Sequence, residues 1–214
     1  DDGDYADERV DFLYGDETHE GTRFDNGELR DRAGLLGDFA NSTPRYVGIP
    51  QGVKRDSEPY PTSIGNLYSE FKSTYLDRAQ LVYAGANDGM LHGFDGQTGV
   101  EKLAFIPNEV ITGRYNNPLR ALASPAYQHR YFVNLPPVVD DIFVGQPISA
   151  FQAENPLFSD DKTWQTILIG GYGVGGKGYF ALNVTNPENF AEASEEKLVF
   201  WEFSEEDDVY PLDN

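Results

Sequence analysis

Three histidines, His19, His92 and His129, are the side chains in this sequence with the widest choice of chemistry. A neutral imidazole serves as a general base near pH 7 and as a metal ligand. The separations of these histidines match no metal-ligand spacing, and no His-Asp-Ser order falls in a nucleophile-elbow motif. We therefore predict no catalytic residue, and we interpret His92 as a half-buried histidine with a backbone partner.

The aspartate residues that could support catalysis lie instead in tight-turn motifs that also contain glycine. Asp88 and Gly89 belong to an Asn-Asp-Gly motif typical of a hairpin turn, because glycine accepts positive φ and aspartate tolerates it. The side chains of Asp95 and Thr98 are expected to hydrogen-bond the amides of a second turn, which Gly99 closes. A catalytic role for Asp88 or Asp95 is the alternative. The predicted structural turn residues are Gly85, Asp88, Gly89, Asp95, Thr98, Gly99, Gly170 and Gly178.

The glycine-rich stretch GGYGVGGKG, residues 170–178, contains a lysine and invites comparison with phosphate-binding loops. Such a loop needs Gly-Lys followed by Ser or Thr at the start of a helix. Here Gly178 follows Lys177 and begins an apolar run typical of a strand. We interpret the stretch as a tight turn between two strands.

Composition excludes several classes of function. The chain of 214 residues carries 16 basic and 36 acidic residues, a formal net charge of -20, which repels nucleic acid phosphates and anionic lipid head groups. The sequence has no cysteine, so it forms no disulfide, thiolate metal site or cysteine nucleophile. No run approaches the roughly 18 consecutive apolar residues of a membrane span. We predict no nucleic-acid partner and no membrane span.

Short apolar runs separated by turn residues organise the chain into two similar units. A short helix or ordered loop is predicted around Leu67 and Phe71, which stand four residues apart. Several runs lack polar alternation, as expected for sheets that are covered on both faces. The predicted strands are 45–48, 81–84, 90–95 and 102–106 in the first unit, and 130–133, 137–145, 164–170, 178–184 and 197–203 in the second.

Repetition of one strand order predicts a radial architecture. The predicted fold class is all-β: part of a β-propeller with about two four-stranded blades plus insertions, as a fragment of a longer chain, since two blades do not close a ring. The predicted boundaries are an acidic N-terminal segment at 1–32 and a partial propeller at 33–214, with blade one at about 44–107 (insertion 51–80) and blade two at about 136–203 (insertion 146–163).

The two tryptophans, Trp164 and Trp201, lie in aromatic-rich strands. We predict that both pack between blades, because large aromatic side chains dominate such interfaces. A platform on which a sugar or a quinone stacks is the alternative.

The sequence resembles a known family through a set of motifs in a fixed order. The run VYAGANDGMLHGFDGQTG, residues 82–99, resembles the blade motif of quinoprotein-type propellers. Together with LLGDFANSTPRYVG (35–48), HRYFVNLPPVVDDIFVG (129–145), WQTILIGGYGVGGKGYFALNVTNP (164–187) and LVFWEF (198–203), it resembles the C-terminal propeller of the PilC/PilY family. Members of this family are type IV pilus assembly and tip-adhesin proteins.

The resemblance implies a non-enzymatic module of pilus biogenesis and adhesion, located extracellularly at the pilus tip or at the outer membrane of a Gram-negative bacterium. It implies as partners the remaining blades of the same protein, minor pilins or other tip subunits, and a host or surface ligand. It also implies a calcium site, but neither the Asp1–Asp4 run nor Asp207-Asp208 has the spacing of a calcium loop. No cofactor is identified, and the metal ligands stay unknown.

Two other functions are compatible with a propeller. The first is a fragment of a dehydrogenase that uses pyrroloquinoline quinone and calcium at the propeller axis, although no adjacent-cysteine disulfide or ligand set for such a site is present. The second is a carbohydrate-binding propeller. Binding of the quinone, followed by absorbance, or of glycans on an array separates these alternatives from a pilus module.

Overall fold

A computed structural model of the chain describes residues 6–21, 23–24, 27–113, 118–147, 158–190 and 198–204. Two four-stranded antiparallel sheets dominate the described part, which confirms the predicted all-β class. The elements are α1 (Ala6–Leu13), β1 (Arg23–Phe24), β2 (Gly27–Glu28), β3 (Arg45–Val47), α2 (Tyr68–Thr74), β4 (Leu81–Gly85), β5 (Leu91–Asp95), β6 (Glu101–Phe105), α3 (Asn108–Thr112), α4 (Pro118–Ala123), β7 (Val138–Pro147), β8 (Phe158–Gly171), β9 (Gly178–Asn183) and β10 (Val199–Ser204).

The first sheet has the order β3-β4-β5-β6, so each strand pairs with the next one along the chain. Tyr83 pairs with Arg45 on one side and with Gly93 on the other. A register shift between Gly93 and Phe94 marks a bulge against β6, which strengthens the local twist of the strand. The result is a simple up-and-down meander joined by tight turns.

The second sheet repeats this order as β7-β8-β9-β10. Its first hairpin is longer than the sequence predicts, because β7 continues to Pro147 and β8 already begins at Phe158. Residues 158–163, predicted as part of a polar insertion, are therefore strand. Residues 148–157 lie outside the described part of the chain.

The main core lies between the two sheets. Leu81, Tyr83 and Leu91 from the first sheet share one buried cluster with Leu168 and Phe180 from the second. The rings of Phe105 and Phe180 meet across this interface with centroids 5.2 Å apart. Face-to-face burial of the two sheets accounts for the apolar residues on their inner faces, such as Leu168, whereas on the other side of the same strand Ile167 is buried and Ile169 is 40% exposed.

Two parts of the connection between the sheets differ from the prediction. Residues 130–133 form irregular backbone with a bend at 132–133 instead of a strand, because the amide of Val133 donates to the carbonyl of Ala86 and the amide of Phe132 donates to the Asn87 side chain. Two short helices, α3 and α4, were not predicted, and they bury Val110, Leu119 and Leu122.

The acidic N-terminal segment is tied to the rest of the molecule by buried side chains. Phe12 and Leu13 in α1 belong to the same core cluster as Met90 and Val110. Arg32 forms a buried ion pair with Glu20 at 2.5 Å. The predicted domain boundary at residue 32 stays a prediction. None of the described helices is long and apolar enough to cross a bilayer.

Candidate functional site

The turn between β4 and β5 contacts the segment around Gly37 and the helices α3 and α4. Gly89 has φ of +96°, and a Cβ atom there would stand 2.9 Å from Leu122 and from Val110. The carboxylate of Asp88 accepts hydrogen bonds from the amides of Gly37 (2.6 Å) and Met90 (3.1 Å). Both predicted turn residues therefore have a structural role. The Asp88 side chain accepts hydrogen bonds from backbone amides, and the position of Gly89 leaves no room for a side chain.

The turn between β5 and β6 is stabilised by side-chain acceptors. Asp95 Oδ1 accepts from the amides of Gln97 and Thr98 and from the Thr98 hydroxyl, at 2.8 to 3.0 Å. These hydrogen bonds lower the pKa of Asp95. Gly99 has φ of +72° and donates its amide to the carbonyl of Asp95. This geometry leaves the carboxylate of Asp95 engaged in the turn.

The other predicted turn glycines lie where another group approaches the backbone closely. A Cβ atom on Gly85 would collide with the carbonyl of Val133, one on Gly170 with the ring of Phe180, and one on Gly178 with the carbonyl of Phe203. These glycines permit close packing between segments.

His92 differs from the interpretation drawn from the sequence. Its side chain is fully buried and its partners are carboxylates: Nδ1 lies 2.5 Å from Glu101 Oε1, and Nε2 lies 3.1 Å from Asp88 Oδ2. Burial alone would lower the pKa of His92, but Asp88 and then Glu101 raise it above its ordinary value. Because both neighbours are acceptors, the geometry favours a doubly protonated imidazolium. The ring also stacks on Phe94, at a centroid distance of 5.7 Å.

His129 belongs to a second polar group, beside the turn between β4 and β5. Its Nε2 lies 2.7 Å from Asp38 Oδ2, while Asp38 Oδ1 accepts from the side-chain amide of Asn87 at 2.7 Å. His19 lies in the N-terminal segment. Within the described ranges, no cluster of three or more His, Asp or Glu side chains could hold a metal ion. The acidic runs Asp1–Asp4 and Asp207-Asp208, weighed for calcium, lie outside the described residues.

A buried polar network between the 51–80 insertion and the second sheet was not predicted from the sequence. Arg78 Nη1 donates to Thr166 Oγ1 at 2.7 Å, and Thr166 Oγ1 donates to Asp141 Oδ1 at 2.7 Å. The Tyr68 hydroxyl donates to Asp141 Oδ2 at 2.5 Å. Burial lowers the pKa of Arg78 and raises the pKa of Tyr68. The network joins the 51–80 insertion to β7 and β8, and no local sequence signal reports it.

The two tryptophans have different environments. Trp164 is buried against Tyr68, Phe71 and Phe143 and donates its indole N–H to the carbonyl of Asn66 at 2.9 Å. This side chain packs the insertion onto the second sheet and offers no open face for stacking. Trp201 in β10 is instead 37% exposed.

Trp201 belongs to an apolar surface that we call the outer face of the second sheet. In the strand register, Val138 pairs with Ile169, Ile169 with Ala181, and Ala181 with Trp201. The next row pairs Tyr179 with Phe203. The neighbouring residues Leu168 and Phe180 point to the opposite side and are fully buried. On the outer face itself, Ile167 and Ala181 are buried in a small cluster with Phe200. The exposed side chains of the outer face are Val138, Ile169, Tyr179, Trp201 and Phe203.

Comparison with known proteins gives consistent matches. Residues 36–214 match the family model described as the PilY1 beta-propeller domain. The chain is 42% identical over 185 residues to the type IV pilus biogenesis factor PilY1 of Pseudomonas aeruginosa (strain PAK), which covers 85% of this chain and 14% of that protein. It is 34% identical to a PilY1 homolog of Xylella fastidiosa, covering 93% of this chain and 12% of the homolog.

A solved structure, that of the Pseudomonas aeruginosa PilY1 C-terminal domain, is 33% identical, with a TM-score of 0.48 and coverage of 74% of this chain and 25% of that chain. The chain thus spans a small part of the length of the relatives that it matches. The family-model match extends over most of the chain and includes both four-stranded sheets. The chain belongs to the PilY1 β-propeller domain family.

Proposed function

We propose that this chain is a propeller segment of a type IV pilus biogenesis factor, acts by protein-protein contacts at the cell surface and has no enzymatic activity. The observation that carries the proposal is the outer face of the second sheet, where Tyr179, Trp201 and Phe203 expose aromatic area on a regular sheet. An exposed apolar patch of this kind marks a surface that another protein surface covers. Membership of the PilY1 family supplies the pilus context.

The neighbour that best fits the outer face is a further sheet of the same polypeptide. The inner face of the same sheet already packs against the first sheet through Leu168, Phe180 and Leu182. Radial architectures repeat such contacts from blade to blade. The remaining surfaces are then left for pilus subunits and for an adhesion ligand, which extends the proposal to a role at the pilus tip.

A role by contact alone agrees with the chemistry of the described polar groups. The Asp88 carboxylate holds two backbone amides and His92, and Asp95 holds the second turn. A general acid or base must instead reach a substrate. Among the described residues, no observation supports a quinone-dependent dehydrogenase.

Deletion of residues 81–203 from the full-length protein tests the proposal. We expect fewer surface pili per cell, counted by electron microscopy and normalised to the amount of the protein, because the deletion removes most of both sheets. Unchanged piliation at equal abundance would reject the pilus role.

Point variants provide the matched control. Alanine at His19, His92, His129, Asp88 or Asp95 should change piliation only in proportion to protein abundance, since each side chain has a structural task. A variant with normal abundance and no piliation would instead point to chemistry at that residue.

A further inference from the structure

His92 lies on the side of the first sheet that faces away from the main core. Its neighbour Leu91 belongs to the core between the two sheets. The imidazole of His92 lies instead between two carboxylates, that of Asp88 in the turn between β4 and β5 and that of Glu101 at the start of β6. The side chain of His92 is only 2% exposed, so each ring nitrogen faces a carboxylate oxygen and not solvent.

Aromatic rings hold the imidazole in this position. Phe94 stacks on it with an interplanar angle of 14°, and Phe39 packs edge-on at a centroid distance of 6.0 Å. Phe39 belongs to segment 37–40, which is tied to the same turn by the hydrogen bond from the Gly37 amide to Asp88. Because the ring is enclosed in this way, a change in its protonation is accommodated by its partners and not by rotation of the ring.

The two carboxylates differ in their freedom to move. The side chain of Asp88 is 8% exposed and also accepts hydrogen bonds from the amides of Gly37 and Met90. The side chain of Glu101 is 43% exposed, and within the part of the chain that the structure describes His92 is the hydrogen-bond partner of its carboxylate. Asp88 is therefore fixed in the fold, whereas Glu101 can turn into water.

Loss of one proton from the imidazolium leaves a single N–H donor for two carboxylate acceptors. A buried carboxylate without a donor is more costly than a carboxylate in water, so the remaining proton stays on Nε2, which faces Asp88. The other nitrogen, Nδ1, then presents a lone pair to Glu101. A lone pair repels a carboxylate, and the partly exposed side chain of Glu101 is the one that can move away.

We propose that His92 and Glu101 form a proton-operated latch on the first sheet, which is closed while the imidazole carries both protons and opens, with Glu101 turned into solvent, when it loses one. Opening makes this side of the sheet more negative by a single charge and uncovers the Nδ1 edge of the ring. The latch is a conformational device of the first sheet that goes beyond the proposed function and does not rest on it.

The other charged groups of the surrounding elements are engaged elsewhere. Strand β4 has no charged residue, and Asp38 in segment 37–40 is bound by His129 and Asn87. On β6, Lys102 is exposed and acts on Asp95 in the adjacent turn. Burial alone would lower the pKa of His92, but Asp88 and then Glu101 raise it. The latch is therefore closed below about pH 6.5 and opens as pH rises through the raised pKa.

Carboxyl footprinting of the full-length protein, read by mass spectrometry, tests the latch. Carbodiimide coupling of glycine ethyl ester modifies carboxylates that solvent reaches, and Glu188, which is exposed, is the reference for the effect of pH on the reagent. We expect modification of Glu101 relative to Glu188 to rise severalfold between about pH 6 and about pH 8.5, while Asp88 stays unmodified. A constant ratio of Glu101 to Glu188 over this range would overturn the proposal.

Two variants show whether His92 operates the latch. In His92→Gln the ratio should no longer depend on pH, because an amide does not titrate in this range. Glu101→Gln changes a partly exposed side chain and keeps the fold independent of the buried site. Hydrogen-deuterium exchange at the imidazole carbon between the two nitrogens reports each histidine separately, and here we expect the His92 midpoint to move to lower pH while that of His129 stays. A pH-dependent ratio in His92→Gln, or an unmoved His92 midpoint in Glu101→Gln, would contradict the latch.

Discussion

The two four-stranded sheets share one strand order, but their outward faces are built differently. On the first sheet, His92 is buried between Asp88 and Glu101, and Phe39 packs edge-on against His92 and Phe94. On the second sheet, the corresponding side carries the exposed aromatics of the outer face. One face is closed by the chain itself, whereas the other buries a small cluster of Ile167, Ala181 and Phe200 and leaves aromatic side chains exposed beside it. This difference supports the proposal that a further blade covers the outer face.

Two alanine substitutions, one on each face, test the contrast between the inner and outer faces of the second sheet. Phe180→Ala should lower the free energy of unfolding by about 3–5 kcal/mol, because it removes a fully buried ring from the core between the sheets. Phe203→Ala should change it by less than about 0.5 kcal/mol in residues 1–214, since Phe203 is 47% exposed. Denaturant melts measure both. Equal losses would show that the outer face is covered within this chain.

Glycine substitutions compare the two turns of the first sheet. Gly89→Val should cost about 1–3 kcal/mol, because it combines positive φ with a steric conflict against Leu122 and Val110. Gly99→Val isolates the conformational part, since Gly99 has positive φ and nothing within 4 Å of the added Cβ atom. We expect the smaller loss at Gly99, measured by the same denaturant melts. A larger loss at Gly99 would mean that packing against α3 and α4 contributes little at the first turn.

Sequence reasoning located the turns and the sheets but not what covers them. The Asn-Asp-Gly and Asp-Gly-Gln-Thr-Gly motifs act within a few residues, so both turns lie where these signals place them. The contact of Arg78 with Thr166 joins residues that are 88 positions apart, and no local pattern encodes it. Trp164 and Trp201 look alike in the sequence, because strands without polar alternation do not tell which face a neighbour covers.

The closed face of the first sheet should give the molecule a distinctive pH dependence. The carboxylates of Asp88 and Glu101 outweigh burial and raise the pKa of His92. A raised pKa contributes stability that is fully present below the unfolded value of about 6.5 and is lost as pH rises through the folded value. We therefore expect the Tm to fall as pH increases from about 6.5 through the raised pKa of His92.

Thermal melts of a histidine pair check this dependence. His92→Gln should be less stable at low pH and should lose the decline above about pH 6.5, because glutamine cannot carry the proton. His19→Gln, which removes a histidine far from this cluster in sequence, should keep the decline. An unchanged decline in His92→Gln would assign the pH dependence to other groups.

The open face of the second sheet should affect association more than stability. Residues 1–214 expose Tyr179, Trp201 and Phe203 on one regular surface, and exposed apolar sheet surface promotes self-association. Serine at these three positions should therefore lower the sedimentation-measured association of the chain, with a change in unfolding free energy of less than about 1 kcal/mol. Serine at Tyr14, Tyr46 and Leu76, which are also exposed but lie outside the outer face, is the matched control. Equal reduction by both triple variants would mean that general surface hydrophobicity, and not the outer face, drives association, and the proposal that a further blade covers the outer face would lose its support.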